Sequence, residues 1–362
     1  MNNVEVIITG TDPESRKGGI GHALPGYLAA LRKIGIEPVV IPTYHPVKKG
    51  GKFFLWLTAL PKIIRAINDI RSEGKVCVVY SHAGAGVSLF REFVITIVSR
   101  CAGAKTIQQI HSAEAAFYLE NSLKRILFKL SMIGVNRTLV LTPWWKSTFS
   151  SNGIKNIDIM PNPLPVHLEE KAKSTFIKKT EDDSSILNVL VLTRLVEGKG
   201  VDLAIESMKC YSGSIKLVIA GEGPLLVRLM HKVREFGLEK KVFFRGWLHG
   251  QLKQDALDQA SILCHQTTFD SMPMNILEAM ANGIPVIALN HGSIPDLVKH
   301  NKTGYLLDDP SPKELANAIK SLLSYKKRIK MGLEAKKYVL ENYSIEKAAS
   351  NIKNILEKVI EH

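Results

Sequence analysis

The chain has 362 residues, 45% of them hydrophobic, enough for two domains of ordinary size, each with its own buried core. Its net charge is 48 − 34 = +14 and lopsided: residues 1–165 hold 20 Lys and Arg against 10 Asp and Glu, the remainder 28 against 24. No apolar run approaches the roughly 18 residues of a membrane span, and the start, Met1 to Ile8, lacks the basic region and apolar core of a secretory leader. Cys77, Cys101, Cys210 and Cys264 lack metal-ligand spacing and read as reduced core thiols of a cytoplasmic protein. A basic first half suits an anionic partner such as nucleic acid, a phosphorylated substrate or an anionic membrane; it equally suits a solvated basic surface.

Val4–Thr9 reads as a first strand, followed by a loop from Gly10 to Gly21 that contains Gly18 and Gly19. Ile20, Leu24, Leu28, Leu31 and Ile34 recur at helical spacing up to Gly35, and Pro38–Pro42 is a second strand. Strand, glycine loop, helix and strand make a parallel β-α-β unit. The loop lacks the dinucleotide-binding glycine spacing, but Gly18 and Gly19 admit close approach of a phosphate or sugar. Lys48, Lys49 and Lys52 precede an aromatic-aliphatic run, Phe53–Leu60. Either this segment binds an anionic membrane surface, or Phe53, Leu57 and Leu60 are the core face of a helix and the lysines are solvated. Val76–Tyr80 and Lys105–Ile110 are further strands that end near His82 and His111. Polar residues beyond the C-terminal ends of parallel strands are where open α/β sheets bind ligands. Arg137–Leu141 is a fifth strand, Thr142-Pro-Trp-Trp starts a helix, and Ile157–Pro165 ends the domain.

Residues 166–185 are polar and read as an irregular linker. The strand-loop-helix pattern then restarts at Ile186–Leu192. The next loop carries Arg194 and Lys199, five apart and able to grip both phosphates of a diphosphate without a metal. Lys216–Ala220 runs into Gly221-Glu-Gly-Pro, and Ser261–Gln266 leads to a loop at Phe269–Pro273. A helix-like run from Asn275 to Ala281 and a buried strand, Ile284–Leu289, follow. The loop feeds a helix N-terminus, a natural seat for a phosphate, and is framed by Asp270 and Glu278 with seven residues between them. Late helices include Ile319–Leu323 and Tyr343–Ile360.

The segment Asp270 to Val286, an acid, seven residues and then Glu-Ala-Met-Ala-x-Gly-x-Pro-Val, resembles the retaining family 4 glycosyltransferases of the GT-B fold. Arg194, Lys199-Gly200, Gly221-Glu-Gly-Pro and Asn301-Lys-Thr-Gly also match that family. The resemblance covers nearly the whole chain, strongly over 187–307 and more weakly over 1–165. It implies two Rossmann-like α/β domains facing a cleft. Residues 1–165, with 344–362 crossing back, would form the acceptor domain, and 186–343 the sugar-nucleotide domain. It further implies that Gly18, Gly19, Arg194, Lys199, Ser271, Met272, Pro273, Met274 and Asn275 bind the donor. Glu278 would bond the ribose, Asp270 would meet a hydroxyl of the transferred sugar, and His111 would lie close to that sugar. Asn162 matches the family's Pro-Asn-Gly, with Pro163 in place of Gly, and Asp296 stands where Glu is common.

The implied reaction transfers a hexose or N-acetylhexosamine with retention and without a metal or other cofactor, UDP-sugars ranking ahead of GDP-mannose. The acceptor would be a glycan, with a polyprenyl-diphosphate-linked glycan fitting the basic half, in surface-polysaccharide synthesis at the inner face of the membrane. Asp270 departs from the family's Glu by one methylene. A backbone shift or a water would restore its reach; otherwise donor choice changes or activity is lost. A sugar-nucleotide 2-epimerase and a non-catalytic sugar-nucleotide-binding subunit are the alternatives. Nucleic acid is disfavoured, because no basic-aromatic platform accompanies the charge.

Overall fold

The computed structural model describes residues 3–15, 18–45, 54–174, 186–211 and 215–361. The chain divides into two units, Met1–Val166 with Tyr343–His362, and His167–Asn342.

In the N-terminal unit, β1 (Val4–Thr11), α1 (Gly18–Lys33), β2 (Val39–Tyr44), α2 (Leu55–Ser72), β3 (Val76–Ala83) and α3 (Val87–Cys101) alternate. They continue as β4 (Lys105–Ile110), α4 (Ala115–Glu120), α5 (Ser122–Leu130), β5 (Arg137–Val140), α6 (Pro143–Ser151) and β6 (Ile157–Ile159). The strands form a six-stranded parallel sheet in the order β2-β1-β3-β4-β5-β6, with Val6 opposite Val78 and Tyr80 opposite Ile107. Helices cover both faces of such a sheet, so its strands read as unbroken apolar runs rather than alternating ones. Val78, Val79 and Tyr80 are accordingly all buried. Strand β2 runs past Pro42 to Tyr44; as an edge strand it tolerates a residue with no N–H to donate.

In the C-terminal unit, α7 (Val166–Ser174) is followed by β7 (Leu187–Leu192), α8 (Val201–Ser207), β8 (Ile215–Ala220), α9 (Leu226–Glu235) and β9 (Val242–Phe244). Then come α10 (Gly250–Gln259), β10 (Ile262–His265), α11 (Met274–Ala281), β11 (Val286–Leu289), α12 (Ile294–Leu297) and β12 (Gly304–Leu307). Helices α13 (Pro312–Ser321), α14 (Tyr325–Tyr343) and α15 (Ile345–Ile360) complete the chain, α15 packing on α1 of the first unit. The second sheet is also six-stranded and parallel, in the order β12-β11-β10-β7-β8-β9. Local chemistry sets several helix starts. Thr142 caps α6 ahead of Pro143, Ser311 caps α13 ahead of Pro312, and Ser344 caps α15.

Three sequence expectations are corrected. Residues 166–174 are helical, not irregular, because Leu168 and Ala172 share one buried stripe and Lys171 pairs with Asp258 at 2.5 Å. The buried face of α2 is Ala59, Ile63, Ile67 and Ile70, whereas Leu57 points to solvent and Leu60 is half-buried. Lys48, Lys49, Lys52 and Phe53, and linker residues 175–185, lie outside the described residues. Among the cysteines, Cys77 and Cys264 are core thiols pushed up to about 12 by burial, but Cys101 and Cys210 are exposed at element ends.

Helix α1 meets the end of the β6 segment at Gly26, where a Cβ would lie 2.9 Å from Pro163 Cβ and 3.0 Å from the Leu164 carbonyl. Gly26→Val is expected to lower the stability of the N-terminal unit by about 1–3 kcal/mol through overpacking. Thermal unfolding tests this, and an unchanged midpoint would contradict the packing described.

Candidate functional site

In a parallel sheet every strand ends at the same edge, and ligands bind where the strand order reverses. In the C-terminal unit that point lies between β7 and β10, and the loops leaving these two strands carry the charged groups. The loop after β7 contains Arg194, exposed and without a side-chain hydrogen bond among the described residues, and Lys199, which is buried. Gly200 makes this geometry possible. Its φ of +63° is left-handed, and a Cβ there would fall 2.1 Å from the Gln266 carbonyl.

Lys199 Nζ donates to the Phe269 carbonyl at 2.8 Å and to Thr267 Oγ1 at 3.3 Å, and lies 2.9 Å from Asp270 Oδ2. His265, the last residue of β10, places Nε2 3.2 Å from the same carboxylate oxygen. Asn275 Nδ2 donates to the Leu192 carbonyl at 2.5 Å and to His265 Nδ1 at 3.3 Å, leaving the ring proton on Nε2, toward Asp270. Burial alone would push the Asp270 carboxyl up; contact with His265 and the Lys199 ammonium overcomes this and brings it down to about 2. Asp270 is therefore an anion at neutral pH, held against the lysine.

Helix α11 begins after Pro273 without a side-chain cap. Ser293 Oγ braces the preceding loop, donating to the Ser271 carbonyl at 2.7 Å. Met272 and Met274 are buried, so their side chains are packing; what this loop offers a ligand is its backbone. Glu278 is buried one turn along α11, its carboxylate in an ion pair with Lys253 of α10.

The N-terminal unit has its own strand-order reversal, between β1 and β3. Here Gly10, with φ +140°, lies against His82, whose Cβ would be 3.1 Å from an added Cβ. His82 Nδ1 and His111 Nε2 are 2.9 Å apart, and both rings pack edge-on against Tyr27. Gln109 ties the layer together. It accepts from Tyr80 Oη and donates through Nε2 to Tyr27 Oη and the Met160 carbonyl, each at 2.7 Å. Tyr27 Oη in turn donates to Asn162 Oδ1 at 3.1 Å. Burial lowers His82 well below the ordinary histidine value, with the neighbouring His111 adding to it, and burial lowers His111 to about 3. Gly18 and Gly19 open α1 with no atom near an added Cβ.

The expected residues thus fall into two groups. Lys199, Asp270 and Asn275 meet around His265, with Arg194, Ser271 and Glu278 on the same strand ends and helix; Gly18, Gly19 and His111 belong to the other unit. Sequence reasoning passed over His265, Lys253 and Thr267 as site residues. For His265 a signal existed, since it ends a strand as His82 nearly does.

Residues 172–338 match the family described as Glycosyl transferases group 1. Over 97% of both chains, this one is 30% identical to the GDP-mannose-dependent alpha-(1-6)-phosphatidylinositol monomannoside mannosyltransferase of Mycobacterium tuberculosis. It is 26% identical to the uncharacterized glycosyltransferase MJ1607 of Methanocaldococcus jannaschii, across 74% of this chain and 68% of that one. Two other curated relatives are matched over only 41% and 34% of their own lengths. The crystal structure of Anabaena HepE with UDP superposes with a TM-score of 0.76 at 15% identity, covering 98% of this chain and 99% of that one. The fold is GT-B, and the molecule is an enzyme that transfers glycosyl groups. The chain belongs to the family Glycosyl transferases group 1.

The histidine pair has a measurable consequence. Both imidazoles are neutral when folded, whereas unfolded histidines take up protons near pH 6.5. Their contribution is therefore whole above pH 6.5 and lost progressively as pH falls toward about 3. The wild-type thermal midpoint is expected to drop between pH 7.5 and 5. His82→Gln with His111→Gln should flatten that slope by up to about 1.4 kcal/mol per pH unit for each histidine. Equal slopes would show that the pair does not titrate with unfolding.

Proposed function

We propose that the enzyme is a retaining, metal-independent glycosyltransferase that moves a hexose or N-acetylhexosamine from a nucleotide sugar to a glycan acceptor, a lipid-linked one in surface-polysaccharide synthesis. The observation that carries this reading is the pairing of Lys199 with Asp270 at the strand-order reversal, beside Arg194 and the uncapped start of α11. The bond from the sugar's anomeric carbon to the diphosphate breaks while the acceptor oxygen bonds to that carbon from the same face. The acceptor's proton passes to the departing phosphate oxygen, so no protein nucleophile is required. Arg194, Lys199 and the N–H groups of α11 stabilise the growing charge on the diphosphate, which is the task a divalent cation performs elsewhere.

Glu278 takes the ribose hydroxyls, with Lys253 holding its carboxylate, and Asp270 meets a hydroxyl of the transferred sugar. Asp270 reaches back to Lys199 in this structure, so the donor diphosphate competes with it for the ammonium. His111, kept neutral beside His82, is assigned to the transferred sugar or the acceptor. UDP-sugars come first as donors; GDP-mannose is the second reading, favoured by the name of the full-length mycobacterial relative. The membrane's inner face is the proposed place of work.

Purified enzyme incubated with UDP- and GDP-sugars, with and without polyprenyl-diphosphate-sugar acceptors, and read by mass spectrometry tests this. One donor should yield an acceptor product, with turnover reduced about 100- to 1,000-fold in Lys199→Ala and severely in Glu278→Ala. A donor altered without acceptor would replace transfer with epimerisation. Donor binding without any turnover would leave a binding subunit, with Asp270 as the cause.

A further inference from the structure

Helix α5 has an unusual surface. Leu123, Ile126, Leu127 and Leu130 recur at i, i+3, i+4 and i+7, the spacing of a core-facing stripe. Yet these four are 67%, 55%, 57% and 47% exposed, and Ile133 just beyond is 55% exposed. The helix is anchored from its other side by Phe128, which is buried between Tyr118 and Phe149. Asn121 fixes its start by accepting from the backbone N–H groups of Leu123 and Lys124. The apolar stripe is thus held outward by a packed core residue and a cap.

Charge identifies what the stripe meets. Helix α5 carries Lys124, Arg125 and Lys129 and no acid. From Glu114 to Asp158 the chain has six bases, Lys124, Arg125, Lys129, Arg137, Lys146 and Lys155, against three acids, Glu114, Glu120 and Asp158, the last paired with Arg137. A short helix with a fully apolar face and a basic flank matches the interface of an anionic bilayer, where leucines enter the acyl boundary and lysines meet lipid phosphates. Tyr118 accepts a hydrogen bond from the Gly86 N–H at 2.8 Å, which draws the start of α3, with exposed Val87 and Phe90, toward the same helices.

We infer that the Leu123–Ile126–Leu127–Leu130 face of α5 seats the N-terminal unit on an anionic lipid surface. The inference rests on the proposed lipid-linked acceptor and assigns the docking surface to α5 rather than to residues 48–65. Helix α5 begins eleven residues after His111, so the strand end carrying that member of the histidine pair and the docking face are joined by one short stretch of chain.

Flotation of the full chain with phosphatidylcholine vesicles, with or without phosphatidylglycerol, tests this. The wild type should float only with the anionic vesicles. Leu123→Gln, Ile126→Gln, Leu127→Gln and Leu130→Gln together should weaken partitioning at least about 100-fold. Lys124→Gln with Lys129→Gln should weaken it about 10- to 30-fold. Circular dichroism and an unchanged thermal midpoint establish that the variants are folded; since the replaced side chains are exposed, both should hold. A folded quadruple variant that floats as the wild type does overturns the assignment to α5 while leaving membrane contact intact. A wild type that stays down with anionic vesicles overturns the membrane reading itself. If it then sediments as a dimer that the quadruple variant abolishes, the face belongs to a second copy and the inference fails.

Discussion

A buried ammonium has to be neutralised, and the placement of Lys199 follows from that requirement. Nearly buried at the end of a parallel strand, it is met by the Phe269 carbonyl, the Thr267 hydroxyl and the Asp270 carboxylate, all contributed by one loop. The loop can supply them because β10 is hydrogen-bonded directly to β7, so the residues leaving both strands emerge side by side. Gly200 lets the backbone pass against Gln266, and Asn275 bonds both strand ends. Sheet order, glycine placement and charge balance thus serve one cluster.

The two units use the same strand edge with different electrostatics. In the C-terminal unit the strand ends hold ions: Lys199 against Asp270, Lys253 against Glu278, and Arg194 in solvent. In the N-terminal unit the ends of β3 and β4 hold neutral groups, two histidines in contact beside two tyrosines joined through a glutamine, while at the ends of β1 and β2 the buried Glu92, paired with Arg91, accepts from the Thr9 and Thr43 hydroxyls. An ionic pocket suits a diphosphate. A neutral, hydrogen-bonding one suits hydroxyl groups, whose recognition depends on donors and acceptors in fixed positions rather than on charge.

Much of this was legible in the sequence. Alternating apolar runs and glycine loops gave the β-α repeats; Arg194 and Lys199 stood out because their spacing suits a diphosphate, and Asp270 and Glu278 because they frame a helix-entering loop in a pattern that resembles the family's motif. What the spacing could not show was partnership. Lys253 looks like any lysine on an amphipathic helix until α10 is packed beside α11, and His265 looks like a core residue until Asp270 folds back onto it. Helix α7 was hidden by its polar composition, its buried apolar residues being Leu168 and Ala172, with Glu169 buried beside them. The stripe on α5 was hidden for the converse reason. Apolar residues at helical spacing read as core, and only the tertiary structure shows them facing outward.

The side chain of Asn275 also determines which way a proton points. Its amide nitrogen can only donate, so Leu192 and His265 Nδ1 can only receive, and the imidazole has to present its hydrogen on the far side, to the carboxylate. An aspartate of nearly the same shape would reverse this polarity. It would leave the Leu192 carbonyl facing an acceptor and set a second acceptor against His265 Nδ1. The difference between an amide and an acid at one position, with no change in outline, therefore governs whether both strand ends are held by donated hydrogen bonds and which ring nitrogen of His265 is turned, with its hydrogen, toward Asp270.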